Sequence, residues 1–238
     1  MKGWYQMERV GIIGAMDEEI EIFKEDMDIE KITQLAGLDF HIGKLNKRDI
    51  VLVKCGIGKV NAAICTQILI GQLGARSIIN TGVAGAIRED LDVLDVIIST
   101  EVQQHDFDVT GFGYNLGEIP KMETSIFKAD RILIDRAYKA GKNLLENRQV
   151  LRGKIVSGDI FVSDLKLKKK LQSKFQAYCT EMEGAAIGHT CFVNDIPFVV
   201  IRVMSDKADG SAHSNFNEFV LEAADYSKNI VINMLDKK

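Results

Sequence analysis

Two short acidic motifs supply the side chains best suited to chemistry in this sequence. Glu181 and Glu183 stand two residues apart where a predicted strand gives way to a helix, and Ser205 and Asp206 close an apolar strand. Open α/β folds build their ligand sites at the carboxyl ends of strands. Carboxylates at two such ends suit a ligand that has hydroxyl groups to hold and a basic nitrogen to protonate, and a nucleoside is such a ligand.

A third acidic motif, Asp17-Glu18-Glu19, follows the first predicted strand. Acidic side chains at the start of a helix interact favourably with the helix dipole, which is one interpretation of the motif. A carboxylate at a strand end can also act as a general base that activates water. An acidic pocket of the kind found in receiver domains is the third interpretation, and the motif alone leaves all three open.

Short apolar runs alternate along the chain with longer segments of helical periodicity. Strands that helices cover on both faces are nearly all apolar, so this alternation predicts a three-layer α/β fold. A predicted hairpin around residues 46–49 indicates a mixed sheet rather than a purely parallel one. The predicted strands are 9–13, 40–45, 50–54, 77–80, 93–100, 153–156 and 198–203. The predicted helices are 17–27, 60–73, 128–142, 165–175, 184–194 and 216–234.

Two glycine-rich segments follow predicted strands without matching a nucleotide-binding motif. Residues 11–14, Gly-Ile-Ile-Gly, lack the G-x-G-x-x-G spacing of a dinucleotide site. Residues 56–59, Gly-Ile-Gly-Lys, end like a P-loop, but the motif needs glycine at 53 and serine or threonine at 60, and both are valine. We interpret both segments as turns at strand ends and expect no dinucleotide cofactor.

Length and composition indicate one domain without a nucleic-acid surface. The chain has 238 residues and only two prolines, with no low-complexity linker, so we predict a single domain, 9–238, after a short extension, 1–8. A formal net charge of −4 and a sequence pI near 5.7 disfavour a nucleic-acid partner. The basic run at 166–170 is interpreted as a solvated helix face.

The cysteines, histidines and apolar runs predict a reduced protein with neither a metal nor a membrane segment. The four cysteines and four histidines lack the spacing of a zinc site, so we expect buried, reduced thiols and no metal. No apolar run approaches 18 residues, and the first residues lack the apolar segment of a signal peptide. The expected location is the cytoplasm.

Several motifs also carry a family resemblance. The block His-Asp-x-Asp-x-Thr-x-Phe-Gly-Tyr at 105–114 is highly specific when combined with Glu-Met-Glu at 181–183 and Arg-x-x-Ser-Asp at 202–206. Over about residues 9 to 235 the chain resembles the bacterial 5′-methylthioadenosine/S-adenosylhomocysteine nucleosidases of the nucleoside phosphorylase/hydrolase superfamily. The other matching motifs lie at 11–19, 55–62, 80–85 and 156–159.

The resemblance implies a fold, a reaction and three catalytic carboxylates. The fold would be a central mixed sheet flanked by helices. The reaction would be hydrolysis of the N-glycosidic bond of methylthioadenosine and adenosylhomocysteine, and also of 5′-deoxyadenosine, with release of adenine and without a cofactor. By similarity, Glu19 would activate the attacking water and Glu183 would bind the ribose 2′- and 3′-hydroxyls. Asp206 would protonate adenine N7, and Ser205 would orient Asp206.

The resemblance further implies an apolar pocket shared between the subunits of a homodimer. Phe161 would stack on adenine, and the backbone of Val162 would pair with the edge of the base. The walls around the ribose and the 5′-alkylthio group would be Met16, Ile57, Met182 and Phe216. The second subunit would contribute Val109, Phe112 and Pro120.

Four positions depart from the commoner family pattern, and one of them bears on the nucleophile. Val83 stands where serine is frequent, and in related phosphorylases a hydroxyl at this place helps to hold phosphate. We expect the acidic turn at 17–19 to face the same place and to disfavour an anion, so that water is the co-substrate. The other departures are Asp17 for glutamate, Phe107 for alanine and Val162 for isoleucine.

Three other functions compete with this one. A purine nucleoside phosphorylase needs cations and hydroxyls around a phosphate, and Arg202 is the one obvious cation. Futalosine hydrolase is a nearer relative that shares the hydrolytic chemistry. A receiver-like signalling domain also places acids after the first strand, but it is smaller than this chain and gives Glu181 and Glu183 no role.

Overall fold

The computed structural model describes residues 9–236, so the predicted extension, 1–8, lies outside the described residues. Ten strands form one mixed sheet. They are β1 (Val10–Gly14), β2 (Asp28–Leu35), β3 (Leu38–Leu45), β4 (Arg48–Lys54), β5 (Ser77–Ala86), β6 (Val96–Gln104), β7 (Phe127–Lys128), β8 (Val150–Ser157), β9 (Cys179–Glu181) and β10 (Phe198–Asp206). The helices are α1 (Asp17–Lys24), α2 (Lys59–Gly71), α3 (Arg131–Leu144), α4 (Leu165–Phe175), α5 (Gly184–Val193) and α6 (Ala212–Leu235), with a short 3-10 turn at Thr110–Phe112.

The topology of the sheet brings several strand ends to one place. The strand order is β10-β6-β8-β9-β5-β1-β4-β3-β2, and β7 pairs with β6. Because β10 also pairs with β5, the strands β5, β10, β6, β8 and β9 close into a ring. β1, β4, β5 and β10 run parallel, so their carboxyl ends share one edge. β9 runs antiparallel to the end of β5, with Thr180 opposite Gly85, and carries the chain back towards that edge.

The strands that lead to this edge are buried on both faces. Ser77 to Ala84 of β5 are all buried, and so is every residue of β10. Helix α6 packs against α1, α3 and the sheet, while α2 packs against α5. A strand covered on both faces needs apolar side chains on both, which explains the continuous apolar runs in the sequence. The buried strands give the polar side chains at their ends a rigid support.

The predicted α/β class with a mixed sheet is confirmed, with corrections to some elements. The helix predicted over 17–27 ends at Lys24, because the chain turns into β2 at Asp28. No strand is predicted over β2, since most of its residues are exposed and it has no apolar run. The helix predicted over 128–142 begins at Arg131, where the side chain of Asp130 caps it.

Several strands are longer than predicted, and the extra residues of two of them matter for the site. The strand predicted over 77–80 continues to Ala86, and the one over 198–203 continues to Asp206. The extension of β5 consists mainly of glycine and alanine, and that of β10 ends in the polar Ser205 and Asp206, so neither has a strong apolar signal although most of these residues are buried. The helix predicted over 216–234 begins earlier, at Ala212.

The basic run at 166–170 is not the uniformly solvated face that the sequence predicts. Lys166, Lys169 and Lys170 on α4 are exposed, but Lys168 is only 8% exposed. The ammonium of Lys168 donates a hydrogen bond to the carbonyl oxygen of Lys207 at 2.5 Å. The prediction fails at this residue because one side of α4 packs on the loop that follows β10.

Other predictions concern the thiols and the membrane. The four cysteines, Cys55, Cys65, Cys179 and Cys191, are buried and unpaired, as predicted. Within residues 9–236, no helix combines the length and the apolar character needed to cross a bilayer.

Candidate active site

A cavity of about 480 Å³ opens where the ends of β1, β5, β9 and β10 meet. The segment after β8 and the first turns of α6 complete its wall. The cavity brings together most of the residues that the sequence singles out. These are Met16, Glu19, Ile57, Phe161, Val162, Met182, Glu183, Ser205, Asp206 and Phe216.

Glu19 lies on the first turn of α1, and three backbone N–H groups hold its carboxylate. Its Oε2 accepts hydrogen bonds from the N–H groups of Ala15 at 2.6 Å and Met16 at 3.2 Å, and its Oε1 accepts from Val83 N–H at 3.0 Å. Burial raises the pKa of Glu19, while Arg202 and the three amides oppose that rise. A carboxyl group with a raised pKa is a stronger base once ionised, which suits it to accept a proton from water.

The other two acids of the motif do not face the cavity, so the expectation of an acid-rich turn there is wrong. Asp17 and Glu18 are exposed, and Asp17 pairs with Lys54 at 2.7 Å on the surface. Side chains that follow one another on a helix point in different directions, and only the third turns inward. Glu19 alone brings negative charge from this helix to the cavity.

Gly82 leaves room for Glu19 and for Arg202. A Cβ atom on Gly82 would stand 2.2 Å from Glu19 Oε1 and 2.8 Å from Arg202 Nη1, so no side chain fits there. The same geometry makes the carboxylate and the guanidinium close neighbours. Gly85, three residues further along β5, plays the same part for Asp206, whose Oδ1 would lie 2.8 Å from an added Cβ.

Glu181 is bonded to groups inside the protein, although in sequence it is equivalent to Glu183 as one of two acids at the end of β9. Its Oε2 accepts from Arg202 Nη2 at 2.5 Å and from Gly184 N–H at 2.8 Å, and its Oε1 accepts from the Ser157 hydroxyl. Arg202 Nη2 also donates to Asn80 Oδ1 at 2.7 Å. The carboxylate of Glu181 is thus committed to the protein and fixes the start of α5.

Glu183 is the freer of the two acids and faces the cavity. Its Oε1 accepts from Gly58 N–H at 2.8 Å, and its Oε2 lies 3.7 Å from Arg202 Nη2. Burial raises the pKa of Glu183, the charge of Glu181 raises it further, and Arg202 opposes both. A carboxylate with one oxygen uncommitted can accept hydrogen bonds from ligand hydroxyls.

Asp206 closes β10 with both oxygens held. Oδ1 accepts from Ala208 N–H at 2.7 Å, and Oδ2 accepts from the Ser205 hydroxyl at 2.9 Å. Asp206 is only 2% exposed, and this burial raises its pKa. A carboxyl group that keeps its proton towards neutral pH can act as a general acid.

Aromatic side chains form another part of the cavity wall. The ring of Phe161 lies 4.8 Å from that of His213 and meets Phe216 edge-on at 6.1 Å. His213 and Asn217 also line the cavity but are not predicted from the sequence, since neither belongs to one of the motifs. Ser157 and Asn80 likewise have no predicted role, although both stand in the motifs at 156–159 and 80–85.

Three predicted residues are not in the cavity of this chain. Val109, Phe112 and Pro120 belong to the segment between β6 and β7 and do not line it. Phe112 is 85% exposed. Across residues 9–236, no group of three or more histidine, cysteine or acidic side chains is arranged to hold a metal ion.

Comparisons with known proteins connect this site to a family. The family model described as the phosphorylase superfamily matches residues 9–236. A 5′-methylthioadenosine/S-adenosylhomocysteine nucleosidase of Bacillus thuringiensis (strain Al Hakam) is 40% identical over 230 residues, which are 96% of this chain and 99% of the relative.

Solved structures give the same assignment. The nucleosidase of that name from Colwellia psychrerythraea 34H, in complex with adenine, superimposes with a TM-score of 0.92 at 40% identity and covers 98% of this chain and 96% of its own. A futalosine hydrolase of Helicobacter pylori reaches a TM-score of 0.91 at 31% identity, with 97% of this chain and 98% of its own covered. The chain therefore belongs to the phosphorylase superfamily and, within it, to the 5′-methylthioadenosine/S-adenosylhomocysteine nucleosidases, which are N-glycosyl hydrolases.

Proposed function

We propose that this protein hydrolyses the N-glycosidic bond of 5′-methylthioadenosine and S-adenosylhomocysteine and releases adenine. The observation that carries the proposal is the placement of four buried acids around one cavity, of which Glu181 is committed to Arg202 and the other three have different sets of partners. Asp206 serves as the acid, Glu19 as the base and Glu183 as the ribose ligand. 5′-Deoxyadenosine is a further substrate on the same reasoning, because the apolar 5′ wall makes no demand for a thioether.

Asp206 acts on the leaving base. Its raised pKa keeps a proton available, and it transfers that proton to adenine N7 while the bond between C1′ and N9 breaks. The electron pair of that bond goes to the adenine ring, which leaves as a neutral base. Phe161 provides the stacking surface for adenine, and the backbone of Val162, which lines the same cavity, pairs with its edge.

Glu183 and Glu19 act on the sugar. The uncommitted Glu183 oxygen accepts hydrogen bonds from the ribose hydroxyls. Positive charge that develops on the sugar as the bond breaks favours the ionised form of Glu183, which in turn stabilises the cationic sugar. A water molecule beside Glu19 in the cavity adds its oxygen to C1′ and gives a proton to Glu19. The charge of Arg202 lowers the pKa of Glu19 and so favours the ionised carboxylate that this step needs.

Water is a better co-substrate than phosphate at this site. The side chain of Val83 offers no hydroxyl, and its N–H is already bonded to Glu19. Arg202 is the obvious cation, and it is shared between Glu181, Asn80 and the nearby Glu183. An anion here would lie next to Glu19 and Glu183, and among residues 9–236 no lysine or arginine lines the cavity to balance its charge.

A homodimer is the assembly that fits this surface best. Val60 and Ile64 on α2 and Val193 on α5 are 69%, 46% and 60% exposed and border one groove that also includes Phe107. A contiguous exposed apolar surface marks an interaction site. A second copy seated there would cover the groove, and the family resemblance implies that it contributes Val109, Phe112 and Pro120 to the site of its partner. The reducing cytoplasm is the compartment that suits four unpaired cysteines.

The direct test is adenine release from methylthioadenosine in phosphate-free buffer, followed by ultraviolet absorbance and by mass analysis of the sugar. We expect free methylthioribose, no acceleration by millimolar phosphate, and no release by Asp206→Asn above a small residual rate. A phosphorylated sugar product would assign the protein to the phosphorylases. Cleavage of futalosine in preference to both adenine nucleosides would assign it to the futalosine hydrolases.

A further inference from the structure

One peptide unit connects the buried Lys168 to Asp206. The Lys168 ammonium donates to the carbonyl oxygen of Lys207 at 2.5 Å. The N–H at the other end of the same peptide unit, that of Ala208, donates to Asp206 Oδ1 at 2.7 Å. Lys168 and Asp206 therefore bind the carbonyl oxygen and the N–H of the same peptide unit, which are the negative and positive ends of one amide dipole.

The chain at this point has a conformation that needs support. Ala208 has φ of +48°, in the left-handed region that residues other than glycine seldom adopt. It is fully buried, and a Cβ on Gly85 would stand 3.0 Å from the Ala208 Cβ, so the turn is packed closely against β5. On its other side, Leu171 and Phe175 of α4 belong to the same apolar cluster as Ala208. Lys168 adds a polar attachment between α4 and the turn.

We propose that Lys168 is a positioning residue that holds the peptide unit between residues 207 and 208, so that its N–H keeps the Asp206 carboxyl group aimed at the leaving base. This inference rests on the proposed function, because it concerns the group assigned there as the general acid. A cation at a carbonyl oxygen polarises the amide and strengthens the hydrogen bond that the N–H donates. Lys168 thus influences Asp206 without touching the substrate.

The charges around both groups determine the direction of the effect. Burial lowers the pKa of Lys168 and the neighbouring Lys207 adds to this, while Asp209, Glu89 and Asp206 raise it. Burial raises the pKa of Asp206 and Asp209 adds to this, while the Ala208 N–H, the Ser205 hydroxyl and Lys168 lower it. Replacing Lys168 with a neutral residue removes a charge and weakens a hydrogen bond, and both changes raise the pKa of Asp206.

The test compares Lys168→Met with Lys169→Met, which changes an exposed lysine of the same basic run. We expect Lys168→Met to lower kcat for methylthioadenosine about tenfold or more, in line with the loss of a hydrogen bond to a charged group. The alkaline limb of its kcat/KM profile should move to higher pH by roughly half a unit or more. Lys168→Arg, which keeps the charge and a donor, should restore most of the rate, and Lys169→Met should match the parent protein.

A Lys168→Met variant with the pH profile of Lys169→Met would overturn the inference. If circular dichroism shows that Lys168→Met does not fold, Lys168→Gln takes its place, since it keeps a donor and loses only the charge. Carboxyl-selective NMR titration of Asp206 in each variant gives the same comparison without turnover. An unmodified protein that releases no adenine would refute the proposed function, whereas an unchanged Asp206 titration in an active protein would refute only the role of Lys168.

Discussion

Arg202 and Glu181 form an ion pair inside the protein, with Nη2 and Oε2 2.5 Å apart and the two side chains 1% and 3% exposed. Neither group is available to bind a ligand through these atoms. The pair joins the end of β9 to the middle of β10, and so fixes the distance between Glu183 and Asp206. Because the charges are buried, each depends on the other for compensation.

Removing one partner of this pair should lower the free energy of unfolding. Glu181→Ala leaves Arg202 buried with one bond lost, and a broken buried pair typically costs ~3–5 kcal/mol of unfolding free energy. Urea denaturation measures the change. The control is Asp135→Ala, which removes a surface pair with Arg152, leaves the contact between Arg152 and the Tyr138 ring in place and should cost less than about 1 kcal/mol. Equal losses in the two variants would contradict a structural role for the buried pair.

Asp206→Asn should remove the general acid and leave the fold intact. The amide has the size of the carboxyl group and can still accept from Ala208 N–H, but it cannot supply a titratable proton to N7. General acid catalysis contributes ~10²–10⁴-fold, so we expect kcat to fall by at least that order. Steady-state assays by adenine release measure it. A turnover number near that of the unmodified protein would show that Asp206 takes no part in the proton transfer.

Asp206→Asn should also stabilise the folded protein, and the gain in stability should grow as the pH rises. The pKa of Asp206 is raised in the folded protein from an ordinary value of 3.8, so the folded state binds its proton more tightly than the unfolded chain. The associated stability is present at low pH and is lost as the pH rises through the folded-state pKa. Asn does not ionise, so the gain in Tm from Asp206→Asn should be larger at pH 8 than at pH 5, by ~2–4 °C per kcal/mol. Asp92→Asn, at an exposed ion pair with Lys207, should show no such gain.

Glu19→Gln should reduce the rate of hydrolysis and leave ligand binding nearly unchanged. The new side chain could still accept from a backbone N–H through its carbonyl oxygen, but it could not take a proton from water. We expect kcat to fall by ~10²-fold or more while the Kd of a non-hydrolysable substrate analogue changes by less than about threefold. Calorimetry and steady-state kinetics give the two numbers. A variant that keeps its turnover and loses affinity would show Glu19 to be a binding residue.

Phe112→Ala tests whether each site uses both chains. If the ring covers the 5′ group in the partner's pocket, its removal should weaken binding of methylthioadenosine by ~1–3 kcal/mol and leave adenine affinity nearly unchanged. The binding measurements use the Asp206→Asn background so that the nucleoside stays intact. Leu221→Ala, another exposed apolar residue, is the control. Sedimentation of the parent protein at micromolar concentration should show a dimer, and a fully active monomer would contradict the shared site.

Sequence patterns predicted the helices and strands that have strong apolar periodicity. They did not predict elements whose residues are mostly polar or exposed. Helix α4 has the predicted bounds, whereas the mostly exposed β2 gave no signal because its apolar residues do not alternate cleanly. The acids Glu19, Glu183 and Asp206 were named from their motifs, and the structure brings them to one cavity. Spacing could not separate Glu181 from Glu183, because the difference lies in contacts with Ser157 and Arg202, which are distant in sequence.

The acids of the cavity are held largely by main-chain N–H groups, those of Ala15, Met16, Val83, Gly58 and Ala208. Every amino acid except proline offers that donor, whatever its side chain. Met16 and Val83 show the result most directly, because their side chains line the cavity while their amides hold Glu19. The lining can therefore diversify by ordinary point substitution, and new 5′ substituents can be accommodated, while the acid–base machinery is inherited unchanged.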